Sequence, residues 1–153
     1  ISPSFRARAT WSILRQAFPG LLCTETEPRI RNLDWGNITA ENRATIEAER
    51  YAAGVLNYAF PGGDNTPDYA KAIDNFVQEM LYERKSVDFP ECVVVLAHGF
   101  ALRLVARSTL QIGDEDFRLL ANPANCFFAE LRYDVGLDTF ALLTPLPVIK
   151  LAS

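Results

Sequence analysis

Apolar positions along this chain recur at helical spacing in most of its length and at strand spacing in two places. Between residues 3 and 18, Phe5, Ala9, Trp11, Leu14 and Ala17 repeat with a helical period. Ser2 and Ser4 are available as caps and Pro19-Gly20 as the stop, so an amphipathic helix is predicted. Residues 20–35 carry Leu21, Leu22, Ile30 and Leu33 without a clean period, which predicts a short strand and a loop. Residues 39–54 are rich in Ala, Glu and Arg and end at Gly54, the pattern of a charged surface helix. A turn-rich loop at 60–65 follows, and Thr66-Pro67 then opens another helix, because proline at the first helical position gives up no N–H that the helix needs. Tyr69, Ile73, Phe76, Val77, Met80 and Leu81 line one face of that helix.

Residues 92–97 are apolar at every position, as expected of a strand buried on both faces in the centre of a parallel sheet. Leu102, Leu104, Val105 and Leu110 predict a helix over 100–110, and a shorter one is predicted over 114–120. Residues 127–133 alternate, turn through 134–138 and return over 139–144 as a β-hairpin. The order of elements is that of an α/β domain.

Composition narrows what such a domain does. A chain of 153 residues, about half of them apolar, is one domain with room for a real core. The net charge of −4 comes from scattered charges, which argues against nucleic acid and against an anionic membrane as partners. Cys23, Cys92 and Cys126 have no metal-ligand spacing and one histidine to help them. They read as reduced thiols of a cytoplasmic protein, and no metal or cofactor is expected. No apolar stretch approaches the roughly 20 residues of a membrane span. The first residue is Ile1 and no signal peptide is visible, so the expectation is a portion of a longer polypeptide, with residues 1–153 forming a single domain.

The candidate chemistry centres on His98, the only histidine. It ends the apolar strand and is followed by Gly99 and a helix, and in open α/β sheets ligands bind beyond the carboxyl ends of the strands. At the other end of the chain, Arg6 lies on the first turn of the opening helix. Helix N-termini attract anions through unpaired N–H groups, and a guanidinium adds a fork that matches phosphate oxygens. Taken singly, an arginine on a helix is a solvated charge and a lone histidine serves structure; two helix N-termini, Arg6, His98 and Gly99 together form a credible phosphate site.

Several strings occur in one order: Ser-Pro-x-x-Arg-Ala-x-x-Thr from Ser2, residues 29–37 with Asn32, Asp34, Trp35 and Gly36, the loop Phe60-Pro61-Gly62-Gly63-Asp64, Ala97-His98-Gly99 with Leu102-Arg103, and Asn125-Cys126. Together they resemble the histidine phosphatase, or phosphoglycerate mutase-like, superfamily over most of the chain. The resemblance implies a three-layer sandwich with a mostly parallel sheet. It also implies a pocket in which one histidine is phosphorylated while a second histidine and two arginines hold the phosphoryl oxygens and a carboxylic acid protonates the leaving oxygen. His98 matches the second histidine and Arg6 the arginine of the helix-start motif.

The family's Arg-His-Gly on its first strand has no counterpart here, so the N-terminal strands are expected to be absent and the phosphohistidine route is closed to this chain alone. The position four residues before Gly36, usually Glu in the family, is Asn32, which can donate a hydrogen bond to phosphate but cannot transfer a proton at neutral pH. Asp34 lies two residues on and is either a shifted acid or the cap of the turn before Trp35-Gly36. Arg8, Arg29, Arg31 and Arg103 are by default surface charges, and Cys126 a buried small hydrophobe. An α/β-hydrolase is disfavoured, since no Gly-x-Ser-x-Gly elbow exists.

Two functional expectations follow. One is a phosphatase-like domain that binds phosphate or a phosphorylated small molecule and is catalytically incomplete until another segment or chain supplies the missing strands. The other is a non-catalytic pseudo-phosphatase domain used for binding or assembly.

Overall fold

The structure is a computed structural model that describes residues 1–20 and 25–149. Its elements in chain order are α1 (Phe5–Ala17), a single 3-10 turn (Pro28–Ile30), α2 (Arg43–Ala53), α3 (Thr66–Glu83), α4 (Gly99–Leu110), α5 (Asp114–Leu119), β1 (Leu131–Asp134) and β2 (Thr139–Leu142). Pro67 sits in the first turn of α3, where its ring costs no hydrogen bond, and Tyr69, Ala70, Ile73 and Val77 of the predicted stripe are buried. They pack on Ala101, Leu104 and Val105 of α4, and Phe117 of α5 closes the same core. α2 starts four residues later than its composition predicts. Thr39 and Asn42 first form a reciprocal turn, with Thr39 N donating to Asn42 Oδ1 and Asn42 N donating to Thr39 Oγ1.

The hairpin is present with Leu131 opposite Leu142 and Asp134 opposite Thr139, and it is the only sheet among the described residues. The segment 92–97, expected as a central parallel strand, forms no ladder among the described residues. One of its carbonyls, Leu96 O, accepts from Ser2 N at 2.8 Å. Ile1 in turn donates to Glu25 O and accepts from Glu27 N, both at 2.8 Å, the slanted pair of bonds that marks a parallel neighbour. Residues 1–2 thus lie between 25–27 and the 92–97 segment.

The far edge of 92–97 has no partner among the described residues. Val93 and Val94 are 44% and 41% exposed, where burial on both faces was expected. Burial of a strand is conferred by its neighbours, and among the described residues no strand pairs along Val93 and Val94. Helix α1 departs in the same sense: its apolar spacing predicts a packed face, yet Ala7 is its one buried residue and Phe5 is 79% exposed. The short strand expected near 20–35 falls partly on residues 21–24, outside the described residues together with Cys23; beyond them, residues 25–27 bond to Ile1 and lead into the 3-10 turn.

Candidate phosphate site at two helix N-termini

The site forms where α1 and α4 begin. Ser4 is the N-cap residue of α1 and His98 that of α4, and neither makes a side-chain capping bond, so first-turn N–H groups of both helices keep no side-chain partner. The two caps meet directly: His98 Nε2 lies 2.9 Å from Ser4 Oγ and 2.9 Å from Ser2 Oγ. Ser2 is fully buried, held by its backbone bond to Leu96. Gly99 is the first residue of α4, with Asn122 and Pro123 packed beside it.

Burial pulls the His98 imidazole below its ordinary value, and the charge of Arg6 in the first turn of α1 acts in the same direction. Both favour the neutral ring. Arg6 itself is exposed and makes no side-chain hydrogen bond or ion pair among the described residues, leaving its five donors free for an oxyanion. The depressed value has a stability consequence. Between the folded value and the ordinary one near 6.5 the unfolded chain binds more protons at His98. The urea midpoint should fall as pH is lowered from about 6.5 and level off below the folded titration. Repeating the series with His98→Gln should remove this component; an unchanged slope would place the proton uptake elsewhere.

Asn32 and Asp34 are both exposed, and neither is hydrogen-bonded to His98 or Arg6. The Asp34 carboxylate accepts from Gly36 N at 2.9 Å, the turn-capping alternative. Asn32 Nδ2 reaches no further than Leu33 O.

Of the remaining arginines, Arg8 is exposed as expected. Arg29 pairs with Glu27 and Glu79. Arg31 grips Asp64 with two 2.6 Å bonds that hold the Asp64 carboxyl below its usual range.

Arg103 corrects the surface expectation. It is buried, its Nη atoms reach Asn122 Oδ1 and Phe117 O, and burial lowers it to about 10, with the charge of Arg50 adding to the effect. Arg50 is stacked on Trp35, Phe60 and Phe100, although helical composition marked α2 as a charged surface. Cys126 is also corrected, being exposed at φ +60° in a turn. By sequence position Ser2 and Ser4 are helix caps; two hydroxyls flanking Pro3 in a chain with a single histidine are the one signal of their contact with His98.

Helix N-termini, a guanidinium and an imidazole thus come together at one place in the fold. The model of the histidine phosphatase superfamily (branch 1) matches residues 1–144, and the chain belongs to that superfamily. Among solved structures, a mycobacterial glucosyl-3-phosphoglycerate phosphatase in complex with inorganic phosphate superposes with a TM-score of 0.73 at 19% identity, covering 94% of this chain and 73% of its own. The same mycobacterial enzyme in complex with VO3 gives 0.74 at 21% identity, covering 95% and 74%. A protein described as mycobacterial hydrolase 2 gives 0.72 at 21% identity, covering 99% and 71%. No curated protein matches the sequence. These likenesses establish the α/β histidine phosphatase fold.

Proposed function

We propose that this chain is the phosphate-binding part of a histidine phosphatase-type phosphomonoester hydrolase, incomplete as a catalyst on its own 153 residues. His98 and Arg6 are the groups that hold the phosphoryl oxygens of a phosphorylated small molecule, with Gly99 and the first turn of α4 adding backbone donors. The observation that carries this reading is the meeting of two helix N-termini at His98, beside the unpaired Arg6. Structural neighbours that hold inorganic phosphate and VO3 are consistent with it.

The phosphohistidine route needs a second imidazole, and this chain has one histidine. The reading therefore assigns the nucleophile to another segment or chain that completes a mostly parallel sheet by pairing along residues 92–97. The bare edge at Val93 and Val94 supports that placement, because unpaired strand groups beside apolar side chains recruit a neighbouring strand. On this view residues 1–153 are one domain within a longer polypeptide. A cytoplasmic setting is proposed from Cys92 and Cys126, which are free thiols. No described helix is long and apolar enough to cross a membrane.

The second reading, a non-catalytic module, draws on Asn32 in the acid position and on the capping of Gly36 by Asp34. The parent reading frame separates the two: an Arg-His-Gly after an apolar strand ahead of Ile1 favours the enzyme, and its absence the module.

Phosphate binding itself is tested on the chain as it stands. The His98 ring proton, unambiguous in a chain with one histidine, should shift saturably with inorganic phosphate in the millimolar range. Arg6→Ala should weaken that binding about tenfold or more, the loss expected for a hydrogen bond to a charged group. An unmoved ring proton would remove phosphate from the assignment.

A further inference from the structure

Two hydroxyls converge on one ring nitrogen in this site, which constrains where the proton of His98 resides. Nε2 has one in-plane position, so it makes one good bond at a time with Ser2 or Ser4, either as an N–H that donates or as a lone pair that accepts. The bonding of Ser2 favours the latter. Its buried O–H needs an acceptor, and His98 Nε2 at 2.9 Å is nearer than Ser4 Oγ at 3.4 Å. Ser2 cannot turn away to water, because it is fully buried.

We infer that Ser2 and Ser4 are positioning residues that hold His98 as the Nδ1–H tautomer, with Nε2 presented to the oxyanion site as a proton acceptor. The inference rests on the phosphate-site reading above and deepens it. Around the ring, burial, the charge of Arg6 on α1 and the partial positive charge of the α4 N-terminus disfavour imidazolium in the free chain, and residues 1–4 add the Ile1 ammonium, which donates to Glu25 O, and two neutral hydroxyls. A bound phosphate dianion reverses that balance. The ring then takes up a proton at Nε2, the new N–H donates to a phosphoryl oxygen, and the partly exposed Ser4 hydroxyl is released to donate to another. Ser2 stays in place as the fixed partner of the ring. Phosphate binding above the titration of free His98 is accordingly linked to uptake of about one proton.

The tautomer is read directly by long-range nitrogen–proton NMR on the ¹⁵N-labelled chain without phosphate. The expected result is an unprotonated Nε2 and a protonated Nδ1; a protonated Nε2 in the neutral ring would overturn the inference. Ser2→Ala and Ser4→Ala should each raise the His98 titration midpoint by about half a pH unit, the amount one hydrogen bond to the neutral form commands. Ser4→Thr should restore it. Unchanged midpoints in both alanine variants would also overturn the inference, and the partly exposed Ser4 serves if Ser2→Ala does not fold. Calorimetry with inorganic phosphate in buffers of different ionisation heat supplies the last arm. Binding without proton uptake contradicts the linkage. Absence of binding counts against the phosphate reading alone, since tautomer and midpoints are measured without phosphate.

Discussion

Replacing Gly36 with alanine is expected to destabilise the chain by about 3 kcal/mol or more, which a urea titration would register as a large fall in midpoint. Gly36 has φ +61°, a region costly for a residue with a Cβ, and an added Cβ would sit 2.2 Å from Pro61 O and 2.6 Å from Gly63 N. Both obstacles are backbone, so neither can rotate aside. The reverse approach is equally tight: a Cβ on Gly63 would fall 2.4 Å from Gly36 N. Two loops are therefore pressed together at glycine, and Asp64 ties them further by accepting from Asp34 N while gripping Arg31. This junction holds the segment that carries Asn32 and Asp34 against the core below Trp35 and Phe60. Gly113→Ala is the control. Nothing lies within 4 Å of a Cβ at Gly113 and its φ of −66° suits any residue, so a change within about 0.5 kcal/mol is expected. Equal losses at the two positions would mean that the loop junction is not the cause.

What was legible in the sequence divides along physical lines. α3, α4 and the hairpin declare themselves because their signals are local: Thr66-Pro67 fixes a start, and the 3.6-residue stripe around Ile73 and Val77 needs only one neighbouring helix, which is present. Residues 92–97 announce a doubly buried strand equally clearly, yet Val93 and Val94 remain exposed, because a sequence pattern records the environment a segment requires and a structure records the neighbours it has. The exposed Phe5 and the nearly unburied α1 carry the same message. Arg50 and Arg103 were illegible for a different reason. Their charge is written in the sequence, but the rings of Trp35, Phe60, Phe100 and Phe117 that receive them come from distant positions, and no local rule joins these.

For the site, His98 and Arg6 were visible as residues at helix starts. The Ser2 and Ser4 contacts were not, since they depend on residues 1–2 lying beside Leu96. The acid remains the weakest part of the family's pattern here. Asn32 cannot transfer a proton, and Asp34 has its carboxylate committed to Gly36.

The largest effect expected of this molecule is the gain of phosphomonoester hydrolysis on completion of its sheet. The rate should go from none with residues 1–153 alone to turnover when the polypeptide also carries the residues encoded ahead of Ile1, provided these include a strand that ends in a histidine. On the proposed function a completing strand would bring the nucleophile, while His98 and Arg6 would meet the charge on the transferring phosphoryl oxygens, a contribution worth about a hundredfold or more per donor. The decisive measurement is therefore hydrolysis of a generic phosphomonoester by both polypeptides, each with His98 and with His98→Ala. The expected result is no turnover from the 153 residues, turnover from the longer polypeptide, and a fall of at least about a hundredfold on loss of His98. Hydrolysis by the 153 residues alone that His98→Ala abolishes, or turnover of the longer polypeptide indifferent to that substitution, would contradict it.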